Sequence, residues 1–167
     1  MTQEETSQER SQEVVQEIAQ EVAERSAAAM WAEDRASQGL GMTLDAIGPG
    51  TATLSMTLRE DMVNGHAIGH GGYTFTLADS AFAFACNSYN RPTVAAGAEI
   101  RFRRPTHLGD RLVATATERE REGRDGVYDV LVTVGDEVVA VFTGRSKEIG
   151  GTLYGETEVT LSRESDA

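Results

Sequence analysis

Residues 70–86 read HGGYTFTLADSAFAFAC, and how this stretch folds decides the architecture. From Tyr73 to Cys86 there is no Gly or Pro, and apolar side chains point in every direction of a 3.6-residue helix. A helix with no polar face must be wrapped by the rest of the protein. Asp79 is the exception on it. Its helical neighbours are Phe75, Thr76, Phe82 and Ala83, and no Lys or Arg occurs between Asp61 and Asn90. A carboxylate without a partner in such surroundings is expensive and is kept mainly for chemistry. The structural alternative is that Asp79 lies on one wetted stripe of the helix or caps a neighbouring element. Just ahead, His70-Gly71-Gly72 opens the helix, where backbone N–H groups lack intrahelical acceptors and the dipole is positive. Glycines there let a ligand oxygen approach the amides, which is how an oxyanion site forms at a helix N-terminus. The rise from Gly72 to Asp79 is about 10 Å, too far for both to act on one carbonyl carbon in one subunit. The spacing therefore predicts a site that straddles a dimer interface.

Outward from this helix the chain alternates with period two. Met42, Leu44 and Ala46 share a face, Gly48-Pro49-Gly50 turns, and Ala52, Leu54, Met56 and Leu58 share the next face, which predicts a hairpin. Asp61–Gly72 is irregular and Asn87–Thr93 is a loop. Four further strand-like runs follow, around Ala96–Arg103, Arg111–Glu120, Val127–Val134 and Val138–Arg145, with turns expected at Asp125-Gly126 and Gly135-Asp136. Upstream, Val14, Ile18 and Val22 recur every four residues from Glu13, and a helix is predicted over Ala27–Ser37, stopped by Gly39 and Gly41. Six antiparallel strands and one central helix give an α+β domain in which a curled sheet surrounds the helix. The expected organisation is an acidic N-terminal extension over 1–25, a folded domain over 26–151 and an acidic C-terminal tail over 152–167.

The 167 residues carry 27 acidic and 15 basic side chains, a net charge of -12, with 40% hydrophobic residues. Much of the acidity sits at the ends: residues 1–25 hold seven acids and two bases, and residues 156–167 four acids and one base. Composition predicts mobility for residues 1–12 and the last eight or so. The charge argues against nucleic acid or an anionic membrane as partner, since both would be repelled. No run of 18 apolar residues is present, and the start lacks the pattern of a signal peptide, so a cytoplasmic protein is expected. The single cysteine, Cys86, reads as a small core residue. With it and three histidines that offer no i, i+4 pair inside a helix, no metal site is expected. Ser80 has no Gly-x-Ser-x-Gly around it, which leaves a serine-hydrolase elbow without support.

Asn64-Gly65-His66, His70-Gly71-Gly72, Phe75, Leu77-Ala78-Asp79 and Ala81-Phe82-Ala83 closely resemble the hotdog-fold acyl-CoA thioesterases of the PaaI type. The likeness continues through Arg104-Pro105, Gly109-Asp110, Gly126-Val127-Tyr128-Asp129 and Gly144-Arg145-Ser146-Lys147. Upstream it takes in Met30-Trp31, Asp34-Arg35-Ala36-Ser37 and Leu40-Gly41-Met42, so it spans roughly residues 28–151. The resemblance implies hydrolysis of an aryl- or arylacetyl-CoA thioester, with no cofactor beyond the CoA ester that is its substrate. It implies that Asp79 is the nucleophile or the base that activates water, and that the Gly71 amide polarises the carbonyl from the facing subunit. His70 and Asn64 would line the site, and the assembly would be a dimer of dimers. Some relatives carry Ser or Thr early in the strand after the helix to hold the attacking water. Here Ala95, Ala96 and Gly97 stand there, leaving Thr93 as the candidate.

The cluster Arg101, Arg103, Arg104 and Arg111 offers a positive rim for CoA phosphates. Arg104, with Arg145 and Lys147, is the candidate set of contacts, against the alternative of ordinary solvated cations. Two other classes stay open on sequence: a non-catalytic acyl-CoA-binding protein, and an enoyl-CoA hydratase or dehydratase using His70 and Asp79.

Overall fold

The computed structural model describes residues 3–155. Six strands form one antiparallel sheet: β1 (Thr43–Gly48), β2 (Thr51–Thr57), β3 (Thr93–Phe102), β4 (Arg111–Glu122), β5 (Asp125–Val134) and β6 (Glu137–Glu148). Their order across the sheet is β1-β2-β4-β5-β6-β3, so β1 and β3 are the edges. Three α-helices accompany them: α1 (Gln3–Glu33), α2 (Arg35–Gly39) and α3 (Gly71–Cys86). This is the curled sheet around a helix that the sequence predicts.

The core lies between α3 and the concave face of the sheet. Leu77, Ala78, Ala81, Phe82 and Ala85 meet Leu54, Met56, Leu112, Ala114, Val130, Val132, Ala140 and Phe142, all buried. Phe82 is central, with its ring 5.6 Å from Tyr128 and 5.9 Å from Phe142. Gly144 makes room for it: a Cβ there would stand 2.7–2.8 Å from Cγ, Cδ2 and Cε2 of Phe82.

Several local expectations change. The wrapping of α3 is incomplete within one chain: Gly72 is exposed, and Thr76, Asp79, Ser80 and Ala83 are half-buried along one stripe. The helix predicted over Ala27–Ser37 is broken at Asp34, whose side chain caps α2 by accepting from the Ser37 N–H at 2.9 Å. Residues 3–12, where composition predicts mobility, are helical in α1. They contain good helix formers and no Gly or Pro, and a helix held by its second half can extend through them. That second half buries Ala23, Ser26 and Ala27, while Val14 and Ile18 stay exposed. The Met42-Leu44-Ala46 face is interrupted by a bulge between Leu44 and Ala46. As a result Ile47 packs on the core and Ala46 faces water. The turn expected at Asp125-Gly126 sits at Gly123-Arg124, where Gly123 takes φ +58°. Residues 156–167 lie outside the described residues, so the expected tail is described only to Gly155.

Candidate active site

The loop before α3 is stitched at every step. Asn64 Oδ1 accepts from the His66 N–H, the Asn64 N–H donates to the Ile68 carbonyl, and Gly69 donates to Thr106 at 2.7 Å. The His70 N–H then donates to Met62 at 2.9 Å, and His70 stands in extended conformation as the N-cap of α3. Its Nδ1 accepts from the Gly72 N–H at 3.0 Å. In the neutral ring the proton therefore sits on Nε2. With Gly72 satisfied in this way and Tyr73 bonded to the His70 carbonyl, the Gly71 N–H has no acceptor among the described residues.

That open amide faces a cavity of about 450 Å³. Asn64, Gly71, Thr74, Phe102, Arg103 and Arg104 are the lining residues that matter chemically. The Asn64 amide uses only its oxygen in the loop, so its Nδ2 is a second donor with no acceptor among the described residues. Gly71 is glycine for space, because a Cβ there would lie 2.9 Å from Cζ of Phe102. The Phe102 ring, 56% exposed, lies against the helix start beside the open amide.

Asp79 lies two turns further along. It is half-buried and makes no hydrogen bond or ion pair among the described residues. Desolvation by burial raises its pKa above the ordinary carboxylate value. The sign for stability follows. The folded state prefers the protonated form, so ionisation costs stability above the folded pKa, and the cost vanishes as pH falls below the unfolded value. Asp79→Asn is thus expected to melt at a higher temperature than the parent at neutral pH. The gap should close toward acid, which thermal melts from about pH 4 to pH 8 would check.

One chain does not bring all the candidate residues together. Gly71 and Asp79 are separated by eight residues of helix, about 12 Å of rise, and Asp79 does not line the cavity. His70 is the helix cap and is exposed, outside the cavity lining. Arg104 lines the cavity and pairs with Glu137 at 3.4 Å. Arg145 and Lys147 lie toward the other end of β6, and Lys147 is held by Asp125 at 2.8 Å. Ala140 pairs with Phe102 whereas Lys147 pairs with Val94, so the two ends of β6 are roughly 20 Å apart. Thr93 spends its hydroxyl proton on the Arg91 carbonyl at 2.8 Å and its N–H on Asn87, so toward a water it offers only an acceptor. Cys86 is buried, and desolvation, reinforced by the charge of Asp79, pushes its thiol up to about 12, in keeping with a core role. Arg103, from the arginine cluster seen in the sequence, lines the cavity, and Thr74 and Phe102 are new cavity residues. Of these two only Thr74 carried a signal in the sequence, as the residue three past Gly71 on the same face.

Residues 66–141 match the family model of the thioesterase superfamily. Acyl-coenzyme A thioesterase PaaI of Escherichia coli is 43% identical over 133 residues, which is 79% of this chain and 95% of that protein. The solved structure of the E. coli PaaI protein from the phenylacetic acid degradation operon superposes with a TM-score of 0.77 at 41% identity, covering 79% of this chain and 96% of that one. A mutant structure of phenylacetic acid degradation protein PaaI from Thermus thermophilus gives 0.68 at 34% identity, covering 70% and 100%. About a fifth of this chain lies outside the region shared with the E. coli protein.

Proposed function

The chain belongs to the thioesterase superfamily, and we propose that it hydrolyses an aryl- or arylacetyl-CoA thioester, phenylacetyl-CoA or a hydroxylated derivative, to the free acid and CoA. The observation that carries this reading is Asp79, an acid half-buried on the central helix with a raised pKa and no partner among the described residues. The open Gly71 amide supports it, because a thioester carbonyl that gains negative charge needs a fixed donor. Likeness to the E. coli enzyme over most of both chains supports the substrate class.

Asp79 either attacks the carbonyl carbon or takes a proton from the water that does. In both cases the Gly71 N–H holds the developing oxyanion, the C–S bond breaks, and the CoA thiolate leaves and takes up a proton that comes from water. After direct attack, water then opens the anhydride on Asp79 to release the acid. Water and the thioester are the only reactants, so no cofactor is required. Asn64 donates its free Nδ2 toward the thioester end, and His70 keeps the loop that presents the amide.

The site is completed between two copies of the chain. β3 is an edge strand of ten residues with Val94, Ala95, Ala96, Ala98 and Phe102 exposed, and an unpaired edge of this kind is a template for another strand. Two copies related by a two-fold axis would pair their β3 edges antiparallel. The end of β3 bearing Phe102 and Arg104 then lies beside the start of the facing β3, where Arg145 and Lys147 flank it on β6. That brings the three candidate cations to one rim for the CoA phosphates. Two such dimers form the tetramer, to which the exposed Leu131 and Val138 on the outer face of the sheet contribute apolar surface. We place the enzyme in the cytoplasm, where acyl-CoA esters are made and used. No helix among the described residues is long and apolar enough to cross a membrane.

A panel of acyl-CoAs with detection of released thiol tests the activity. Turnover of arylacetyl-CoA is the expected result. Tight binding without thiol release would make the chain a CoA-ester binder, and loss of an enoyl chromophore without free CoA would make it a hydratase. Arg104→Ala and Lys147→Ala are each expected to raise KM several-fold with little change in kcat, as for contacts made equally in ground and transition states. An unchanged KM in both variants and in Arg145→Ala would put the CoA tail elsewhere.

A further inference from the structure

Thr74 is 3% exposed and lines the cavity beside Gly71, yet its hydroxyl has no hydrogen-bond partner among the described residues. A threonine inside a helix ordinarily returns its hydroxyl to the carbonyl four residues back, as Thr76 does to Gly72 at 2.8 Å. Thr74, two residues earlier on the same helix, does not. No buried side-chain oxygen in the described residues is both sealed off and unbonded, so the Thr74 hydroxyl reaches the cavity surface. Its direction follows from helix geometry. Side chains lean toward the helix N-terminus, and residues three apart stack on one face. Thr74 therefore leans back over the turn that starts at Gly71, about 4.5 Å along the axis. A hydroxyl that opens onto the cavity and is not bonded by the protein is free to donate to a ligand atom there.

We propose that Thr74 is a side-chain donor of the oxyanion site, its hydroxyl reaching the same thioester carbonyl oxygen as the Gly71 amide. The proposal deepens the hydrolase reading above and rests on it. As the carbonyl carbon is attacked, electrons move onto its oxygen, and the hydrogen bonds donated to it by the Thr74 hydroxyl and the Gly71 N–H both strengthen. Thr106 is also buried and its hydroxyl is likewise unbonded, but it lies against Gly69 and not over the helix start.

Thr74→Val keeps the shape and removes the hydroxyl. For a donor of this kind kcat is expected to fall about 10²-fold, with KM changed less than about threefold. The melting temperature should hold, since no hydrogen bond among the described residues is lost. Thr74→Ser should restore most of kcat. A valine variant with kcat within twofold of the parent overturns the proposal, as does equal loss in the serine and valine variants. Calorimetry with a ketone analogue of phenylacetyl-CoA, a CH2 replacing the thioester sulfur, separates this from the function itself. If no acyl-CoA is hydrolysed, the activity assigned above fails, while weaker binding of the analogue to Thr74→Val still supports the hydroxyl contact. Equal affinity of parent and variant refutes that contact whatever the turnover.

Discussion

Asp79→Asn is expected to hydrolyse arylacetyl-CoA about 10²–10⁴-fold more slowly than the parent, the range for loss of a positioned base, and still to bind CoA. Asparagine matches aspartate in size, so the half-buried site on α3 is not opened, and no hydrogen bond among the described residues is broken. What is lost, on the proposed mechanism, is the negative charge that attacks the carbonyl or draws the proton from water. Because burial raises the Asp79 pKa, kcat/KM of the parent should also fall as pH drops through a value above the usual carboxylate range. The asparagine variant should not show that limb. Steady-state rates across pH, with CoA affinity measured separately, check both points. Near-parental kcat in the variant would remove Asp79 from the reaction. Single-turnover hydrolysis in ¹⁸O-labelled water then divides the two mechanisms. Label found in the Asp79 carboxylate means direct attack with the anhydride opened at the enzyme's carbonyl, and label found only in the product acid means that water attacked the acyl carbon.

Gly144→Ala is expected to destabilise the fold by about 1–3 kcal/mol through overpacking. The new methyl would stand within 2.8 Å of Cγ, Cδ2 and Cε2 of Phe82, and the Phe82 side chain is 1% exposed. Cγ is the ring's root, so turning the far end of the ring does not relieve the contact. The ring is also confined by Tyr128 and Phe142, both buried. Relief has to come from moving α3 away from β6, and Asp79 is one turn from Phe82 on that helix. Activity should thus fall along with the denaturation midpoint. Phe82→Leu in the alanine background should recover part of both, as two residues in contact are not additive. A single alanine variant as stable as the parent would mean that the sheet yields at little cost.

The fold was legible because its two periods are strongly written. The apolar run from Tyr73 to Cys86 and the alternation in each strand leave one arrangement, and the Gly135-Asp136 turn falls where expected. What escaped were features set by three-dimensional fit. The bulge after Leu44 reverses a face, and nothing in the alternation of Met42, Leu44 and Ala46 announces it. Asp34 ends α1 because its side chain finds the Ser37 N–H, and that competes with helix continuation only once α2 has turned away. At the candidate site, Asp79 and Gly71 were readable from charge and helix position. Phe102 was not, since only the sheet brings the end of β3 against the start of α3. The rise of a helix was enough to show that one chain separates the acid from the amide, though not which edge would meet its copy.

The state of Cys86 bears on how the reaction can be followed. The chain has a single sulfhydryl, buried at the end of α3 and protonated far beyond neutral pH. Thiolate is the reactive species toward disulfides, so a colorimetric disulfide reagent finds nothing to consume on the native protein. Every equivalent of chromophore released is then one molecule of CoA. Any of the liberated coenzyme that air oxidises to its disulfide likewise meets no exposed thiolate on the native protein with which to exchange.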